Sequence, residues 1–106
     1  MISRLLALGL AALAAASPAV AQDGDAHVAQ GKRLFMDEGC FGCHTVVGMG
    51  TPIAADLSRI GAKYSGNYLE RWLEDPSLQK PSAHMPKINL GPAEVRALAA
   101  YLASLR

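Results

Sequence analysis

Five consecutive residues, Cys40-Phe41-Gly42-Cys43-His44, constrain this chain more than any other stretch of it. C-x-x-C-H is the attachment pattern of a c-type haem, and each position has a chemical reason. Two thiols separated by two residues reach one edge of the flat macrocycle and add across its two vinyl groups, forming thioethers. The next residue, His44, is then carried under the iron as the proximal ligand. Gly42 is expected to keep the turn between the thiols free of a bulky side chain. Two rival readings of a bare C-x-x-C are weaker. A zinc site needs further Cys or His at matching spacing, but the chain has only two cysteines, and His27 and His84 lie far off and unpaired. A thioredoxin-like pair wants a βαβ setting, and no strand signal is present.

Thioether attachment belongs outside the cytoplasm, so the amino terminus matters. Arg4 and the free amine form a positive start, and residues 5–16 are an uncharged Leu- and Ala-rich run. Ala19-Val20-Ala21 is a small-x-small pattern. Together these predict a cleaved signal peptide, residues 1–21, with cleavage before Gln22. The rival is an uncleaved anchor, but 12 apolar residues fall short of the roughly 20 that span a bilayer. Removing 21 leader residues from 106 leaves 85, with nine basic and nine acidic side chains. No transmembrane segment remains, and the reading is an exported bacterial protein of the periplasm.

That balance excludes a polybasic nucleic-acid arm and a strongly acidic disordered tail. Two cysteines cannot make a dense disulfide framework. One small domain, residues 22–106, then buries little core unaided, and chains of this size use a metal, disulfide or cofactor as a staple. One covalent haem c fills that role.

The iron then needs a sixth partner or an open position. Of four methionines, Met1 leaves with the leader, Met36 is expected as core filler on a helix, and Met49 is too near His44 to reach the opposite face. Met85 remains, in Lys80-Pro81-Ser82-Ala83-His84-Met85-Pro86. The prolines stiffen this loop and bar a helix, which suits a loop presenting a thioether sulfur. Sulfur ligation raises the reduction potential. His84 is the rival ligand and would give a bis-His iron of lower potential; the prolines bracketing Met85 favour the methionine. His27 is expected as a solvated helix residue.

Helical spacing predicts a first helix from about Ala26 to Glu38, with Val28, Gly31, Leu34 and Phe35 on its inner side, Asp23 or Asp25 as cap and Gly39 at its end. Residues 45–63 read as loop, with a short helical turn near Leu57 to Ile60. Ser65 caps a second helix through Asp75, striped by Leu69, Trp72 and Leu73 and stopped by Pro76. Gly91, Pro92 and Glu94 open a last helix on which Val95, Leu98, Leu102 and Leu105 recur. The expected fold class is all-α, three main helices and long loops around the haem.

These features together resemble a class I cytochrome c across residues 26–106. The resemblance rests on Gly31-x-x-x-Phe35, Cys40-x-x-Cys43-His44-Thr45-Val46, Trp72-Leu73, Met85-Pro86, and Leu98 to Leu102 with Tyr101. It implies three helices wrapping the haem, and crossing terminal helices. Gly31 would allow their close approach, and Phe35 would pack near Leu98 and Tyr101. The stretch from Tyr68 to Met85 is similar to soluble bacterial members and to cytochrome c domains of terminal oxidases and nitric oxide reductases. One departure stands out. The family has Gly-Pro before a polar-Leu pair, and the proline carbonyl accepts the proximal histidine N–H. Here the stretch is Ala54-Ala55-Asp56-Leu57, with Pro52 earlier; a carbonyl near Ala55 is the candidate acceptor. The resemblance gives Trp72 a place against the haem edge, its indole near a propionate; an ordinary core aromatic is the alternative. Tyr64 and Tyr68 are packing residues or propionate contacts.

The function expected from all this is one-electron transfer between unidentified redox protein partners, with Cys40 and Cys43 holding the haem, His44 and Met85 as axial ligands, and no catalytic residue. Docking on a membrane-bound respiratory complex fits the same reading. Lys80 and Lys87 beside the methionine loop, with Glu70, Glu74 and Asp75 on the second helix, make a local dipole or an ordinary solvated face. A dedicated haem subunit of a larger oxidoreductase is the alternative, marked by an apolar patch around the haem edge. A gas sensor or peroxidase needs an open iron position, which Met85 argues against.

Overall fold

In a computed structural model, residue 9 and residues 19–106 are described; the expected leader lies almost wholly outside them. The elements are α1 (Ala19–Asp37), a single 3-10 turn (Cys40–Gly42), β1 (Thr45–Val46), β2 (Met49–Gly50), α2 (Ile60–Lys63), α3 (Gly66–Glu74), α4 (Pro76–Gln79) and α5 (Pro92–Ser104). The fold is all-α in character, with α1, α3 and α5 as its main helices. No helix among the described residues is long and apolar enough to cross a membrane.

The core lies where α5 packs against α1 on one side and α3 on the other. Val95, Ala97, Leu98, Ala99, Tyr101 and Leu102 are all buried, so α5 hides more than one stripe, as a helix between two neighbours must. Gly31 makes the α1 approach possible: a Cβ there would overlap the Ala97 carbonyl and the Tyr101 Cβ. One turn on, Phe35 is 1% exposed. Its ring meets Tyr101 at 5.6 Å between centroids and Phe41 edge-on at 4.8 Å. Both geometries are favourable for aromatic pairs. Phe35 thereby ties the terminal helices to the cysteine loop.

Local signals set several boundaries as expected. Gly39 takes φ 74° just after α1, which glycine does without steric cost. The Ser65 hydroxyl accepts from the Tyr68 N–H at 3.1 Å and caps α3. At α5, Gly91 is the N-cap, Pro92 follows, and the Glu94 carboxylate accepts from the Gly91 N–H at 3.3 Å.

Other expectations are corrected. α1 starts at Ala19 rather than Ala26 and runs through the expected cleavage point, so Asp23 and Asp25 lie within the helix rather than capping it. Met36 is 50% exposed, not core filler, because Phe35 already takes the inward position. His27 is half-buried. Residues 45–50 form an antiparallel hairpin rather than plain loop, pairing Thr45 with Gly50 and Val46 with Met49. Its two-residue turn is left-handed at both Val47 (φ 47°) and Gly48 (φ 77°), the twist that short hairpins require. A valine there hides the turn from sequence reading, since branched side chains resist that region. Pro76 does stop α3, but it also opens α4, with the Asp75 carboxylate accepting from the Ser77 N–H and hydroxyl at 3.1 and 2.6 Å. Gly42 meets no steric demand: a Cβ there would face open space.

Candidate functional site

A cavity of about 480 Å3 opens between the cysteine loop, α3 and the 80–90 loop, within the ~300–1,000 Å3 range of cofactor sites. His44 and Met85 both line it, as does Cys40. Its remaining wall is mostly apolar, built by side chains such as Leu57, Ile60, Leu69 and Leu98. Cys43 is exposed and does not line it. His84 is exposed and does not line the cavity.

The cysteine loop is held by its own backbone and by the segment that follows it. The Cys43 and His44 N–H groups both donate to the Cys40 carbonyl, at 3.2 and 3.0 Å. The Cys43 carbonyl accepts from Ile53 and Ala54, at 3.1 and 2.6 Å, and Thr51 donates to the Phe41 carbonyl at 2.9 Å. Gly50, at φ 105°, lies so close that a Cβ would overlap the His44 carbonyl.

The departure at Ala54-Ala55 resolves simply. His44 Nδ1 lies 2.7 Å from the Ala55 carbonyl oxygen. A carbonyl can only accept, so Nδ1 carries the proton and Nε2 keeps its lone pair, the tautomer a metal-ligating histidine needs. Pro52 plays no part in this bond. A side-chain brace fixes the same segment. The Thr45 hydroxyl donates to Asp56 at 2.7 Å, the Ser58 hydroxyl to Asp56 at 2.9 Å, and the Val47 N–H to Ser58 at 2.7 Å. The Thr45 and Ser58 bonds hold the Asp56 carboxyl below its ordinary value of 3.8.

Burial, with the Glu38 charge adding to it, pushes the Cys40 thiol up to about 11. A thioredoxin-like pair needs the opposite, a thiol with a lowered pKa. Among the described residues no group of three or more His, Cys, Asp or Glu could hold a metal ion, so the zinc reading finds no further ligands. The donors fit haem instead: a thiol in the cavity wall with a second three residues on, an imidazole oriented with a free nitrogen, a thioether, and an apolar lining.

Trp72 lines the cavity half-buried, and its indole N–H donates to the Met85 sulfur at 3.2 Å, a contact that sequence reading missed. Tyr64 and Tyr68 stack on each other at 4.5 Å along the same wall. Lys87 helps hold the Asp75 carboxyl down, after the larger effect of Ser77.

The sequence profile of the family described as Cytochrome c matches residues 28–106. The chain belongs to the cytochrome c family. It is therefore an electron-transfer haem protein, with one covalently bound haem c to which Cys40 and Cys43 fit by spacing. The cytochrome is 35% identical over 86 residues to a cytochrome c oxidase subunit 2 of Alkalihalophilus pseudofirmus, an alignment covering 73% of this chain and 25% of that protein. It is 28% identical over 81 residues to a subunit of the nitric oxide reductase of Stutzerimonas stutzeri, covering 71% of this chain and 56% of the relative. The cytochrome thus spans from a quarter to just over half the length of these relatives.

Proposed function

We propose that this cytochrome is an exported, periplasmic one-electron carrier whose haem is held by thioethers from Cys40 and Cys43, with His44 and Met85 as axial ligands. The observation that carries the reading is the placement of His44 and Met85 on one cavity, with the His44 proton already committed to the Ala55 carbonyl at 2.7 Å. Export rests on the leader pattern of residues 1–21.

Bound haem supplies the one-electron ferrous–ferric couple. The chain supplies the rest. The Ala55 carbonyl holds the imidazole ring in orientation and raises its basicity as a ligand. Met85 offers a soft sulfur donor, which favours the reduced state, and the apolar wall disfavours the extra charge of the oxidised one. Exposed Cys43 marks the edge through which an electron leaves. No acid or base is called for.

A second reading, a haem subunit of a larger oxidoreductase, is favoured by a specific surface. Val47, Met49 and Ile53 are 79%, 65% and 74% exposed on the segment bonded to Cys43. Three exposed apolar side chains within seven residues of sequence suit a protein interface. Both relatives are, by name, subunits.

Size-exclusion chromatography of native periplasmic and membrane extracts, following haem absorbance and this chain together, tests both. Haem eluting with a small free protein supports the carrier. Haem in a large complex supports the second reading, and the co-eluting enzyme names the partner. A chain without haem in either fraction overturns the whole reading.

A further inference from the structure

We propose that Asp56 is a positioning residue for His44: by anchoring the peptide next to it, its carboxylate holds the Ala55 carbonyl on the imidazole N–H and so lowers the reduction potential. The proposal rests on the reading of His44 as axial ligand. The Ala55 carbonyl has little else to hold it. Ala54 and Ala55 carry only methyl groups, and both are exposed, so packing does not pin them. Backbone bonds fix the segment on either side. The Ala54 N–H donates to the Cys43 carbonyl at 2.6 Å, and the Leu57 N–H to the Thr45 carbonyl at 2.8 Å. The peptide unit in between, from the Ala55 carbonyl to the Asp56 N–H, makes no backbone–backbone bond among the described residues.

The Asp56 side chain supplies what the backbone lacks. Its Oδ1 accepts from the Thr45 hydroxyl at 2.7 Å and from the Ser58 hydroxyl at 2.9 Å, and its Oδ2 from the Ser58 N–H at 3.3 Å. The Ser58 hydroxyl accepts in turn from the Val47 N–H at 2.7 Å. Thr45 follows His44 directly, so these bonds tie the chain leaving the ligand to the peptide that faces it. With its tip anchored at Thr45 and Ser58, Asp56 restrains the rotation of the peptide that carries the Ala55 oxygen. That oxygen lies 2.7 Å from His44 Nδ1. A carbonyl accepting there raises the basicity of the imidazole as a ligand, and a more basic ligand favours the oxidised iron. Charge would act in the same direction, but Asp56 is exposed, where the high dielectric of water weakens it. Orientation carries the effect.

The test compares the holoprotein with Asp56→Ala, Asp56→Asn and Thr45→Val. The readouts are the reduced-to-oxidised ratio in a fixed-potential mediator and, by NMR, the exchange of the His44 Nδ1 proton with heavy water. Asp56→Ala is expected to shift the ratio toward the reduced form by about two- to fivefold, part of the factor corresponding to one ordinary hydrogen bond. The Nδ1 proton should exchange faster in the same variant. Thr45→Val keeps the side chain's shape and removes its hydroxyl, so it should shift the ratio the same way by a smaller factor. Asp56→Asn keeps an oxygen for both hydroxyls and removes the charge, so its ratio should stay near that of the unaltered protein. A shift in Asp56→Asn as large as in Asp56→Ala assigns the effect to charge and overturns the proposal. An unchanged ratio in Asp56→Ala, or a shift toward the oxidised form, overturns it as well. If Asp56→Ala does not fold, Thr45→Val decides, and an unchanged ratio there overturns the proposal. The underlying reading fails separately: if the Nδ1 proton of the unaltered protein resonates at the same position in the oxidised and reduced states, His44 is not the ligand.

Discussion

The two sides of the cavity are built by different means. On the His44 side, residues 40–58 are tied down by a dense set of backbone bonds, the Thr45–Asp56–Ser58–Val47 brace and the Ala55 carbonyl. On the Met85 side, residues 81–90 make one backbone turn bond and one side-chain bond to α3. The first side orients His44 by backbone path, so it tolerates an alanine where the family pattern has proline. The second places Met85 by side-chain identity: two prolines that stiffen, one indole that holds. Mutations should accordingly act through geometry on one side and through chemistry on the other.

Emptying the space between the two sides has the largest expected effect. Replacing Cys40 and Cys43 together by serine abolishes covalent haem and leaves a mostly apolar cavity of about 480 Å3 open to water, a loss that a small domain of marginal stability tolerates poorly. Circular dichroism should show loss of cooperative unfolding, and haem stain should be absent on a denaturing gel.

Next comes Gly50→Ala, aimed at the backbone path of the His44 side. A Cβ at φ 105° overlapping the His44 carbonyl should destabilise the holoprotein by about 2–3 kcal/mol, read as a fall in the urea midpoint. Gly42→Ala, whose new methyl would face open space, should cost well under ~1 kcal/mol. Equal losses at the two glycines would dissolve the claim that backbone approach is what matters there.

A smaller effect of opposite sign is expected at Val47. Its left-handed φ of 47° strains a branched residue by roughly 1–2 kcal/mol, so Val47→Asn should raise the melting temperature. If this valine also contributes to the apolar surface beside Cys43, the same change weakens co-elution with any large partner complex.

The brace supplies the mildest test. Asp56 is held below its ordinary 3.8, by Thr45 first and Ser58 second. A carboxyl with a depressed folded pKa stabilises above the unfolded value, and that stability is lost as pH falls through the folded pKa. Asp56→Asn should therefore lower the urea midpoint slightly at neutral pH and flatten its decline as the pH falls below the ordinary carboxyl value of 3.8. Superimposable pH profiles would mean the brace does not contribute.

Much of this is legible in the sequence, for identifiable reasons. Cys40, Cys43 and His44 carry a local spacing rule. Phe35, Leu98 and Leu102 repeat at helical intervals, and Ser65, Gly91 and Pro92 act as caps through near neighbours. What stays hidden depends on distant or unusual geometry. The hairpin is masked by Val47 in a conformation valines avoid. Met36 departs from its expected place because Phe35, adjacent on the helix, takes the inward direction. The indole–sulfur bond joins residues on separate elements, and nothing in the local pattern around Trp72 distinguishes a sulfur contact from a propionate contact. The Ala55 acceptor is readable only as a carbonyl somewhere near, because every residue has one.

The most direct test of the central account is near-infrared magnetic circular dichroism of the oxidised holoprotein, whose charge-transfer band reports the pair of axial ligands. The account predicts a histidine–methionine position, lost in Met85→Ala and kept in His84→Ala. A bis-histidine position, or a spectrum of open-site iron in the unaltered protein, would contradict it.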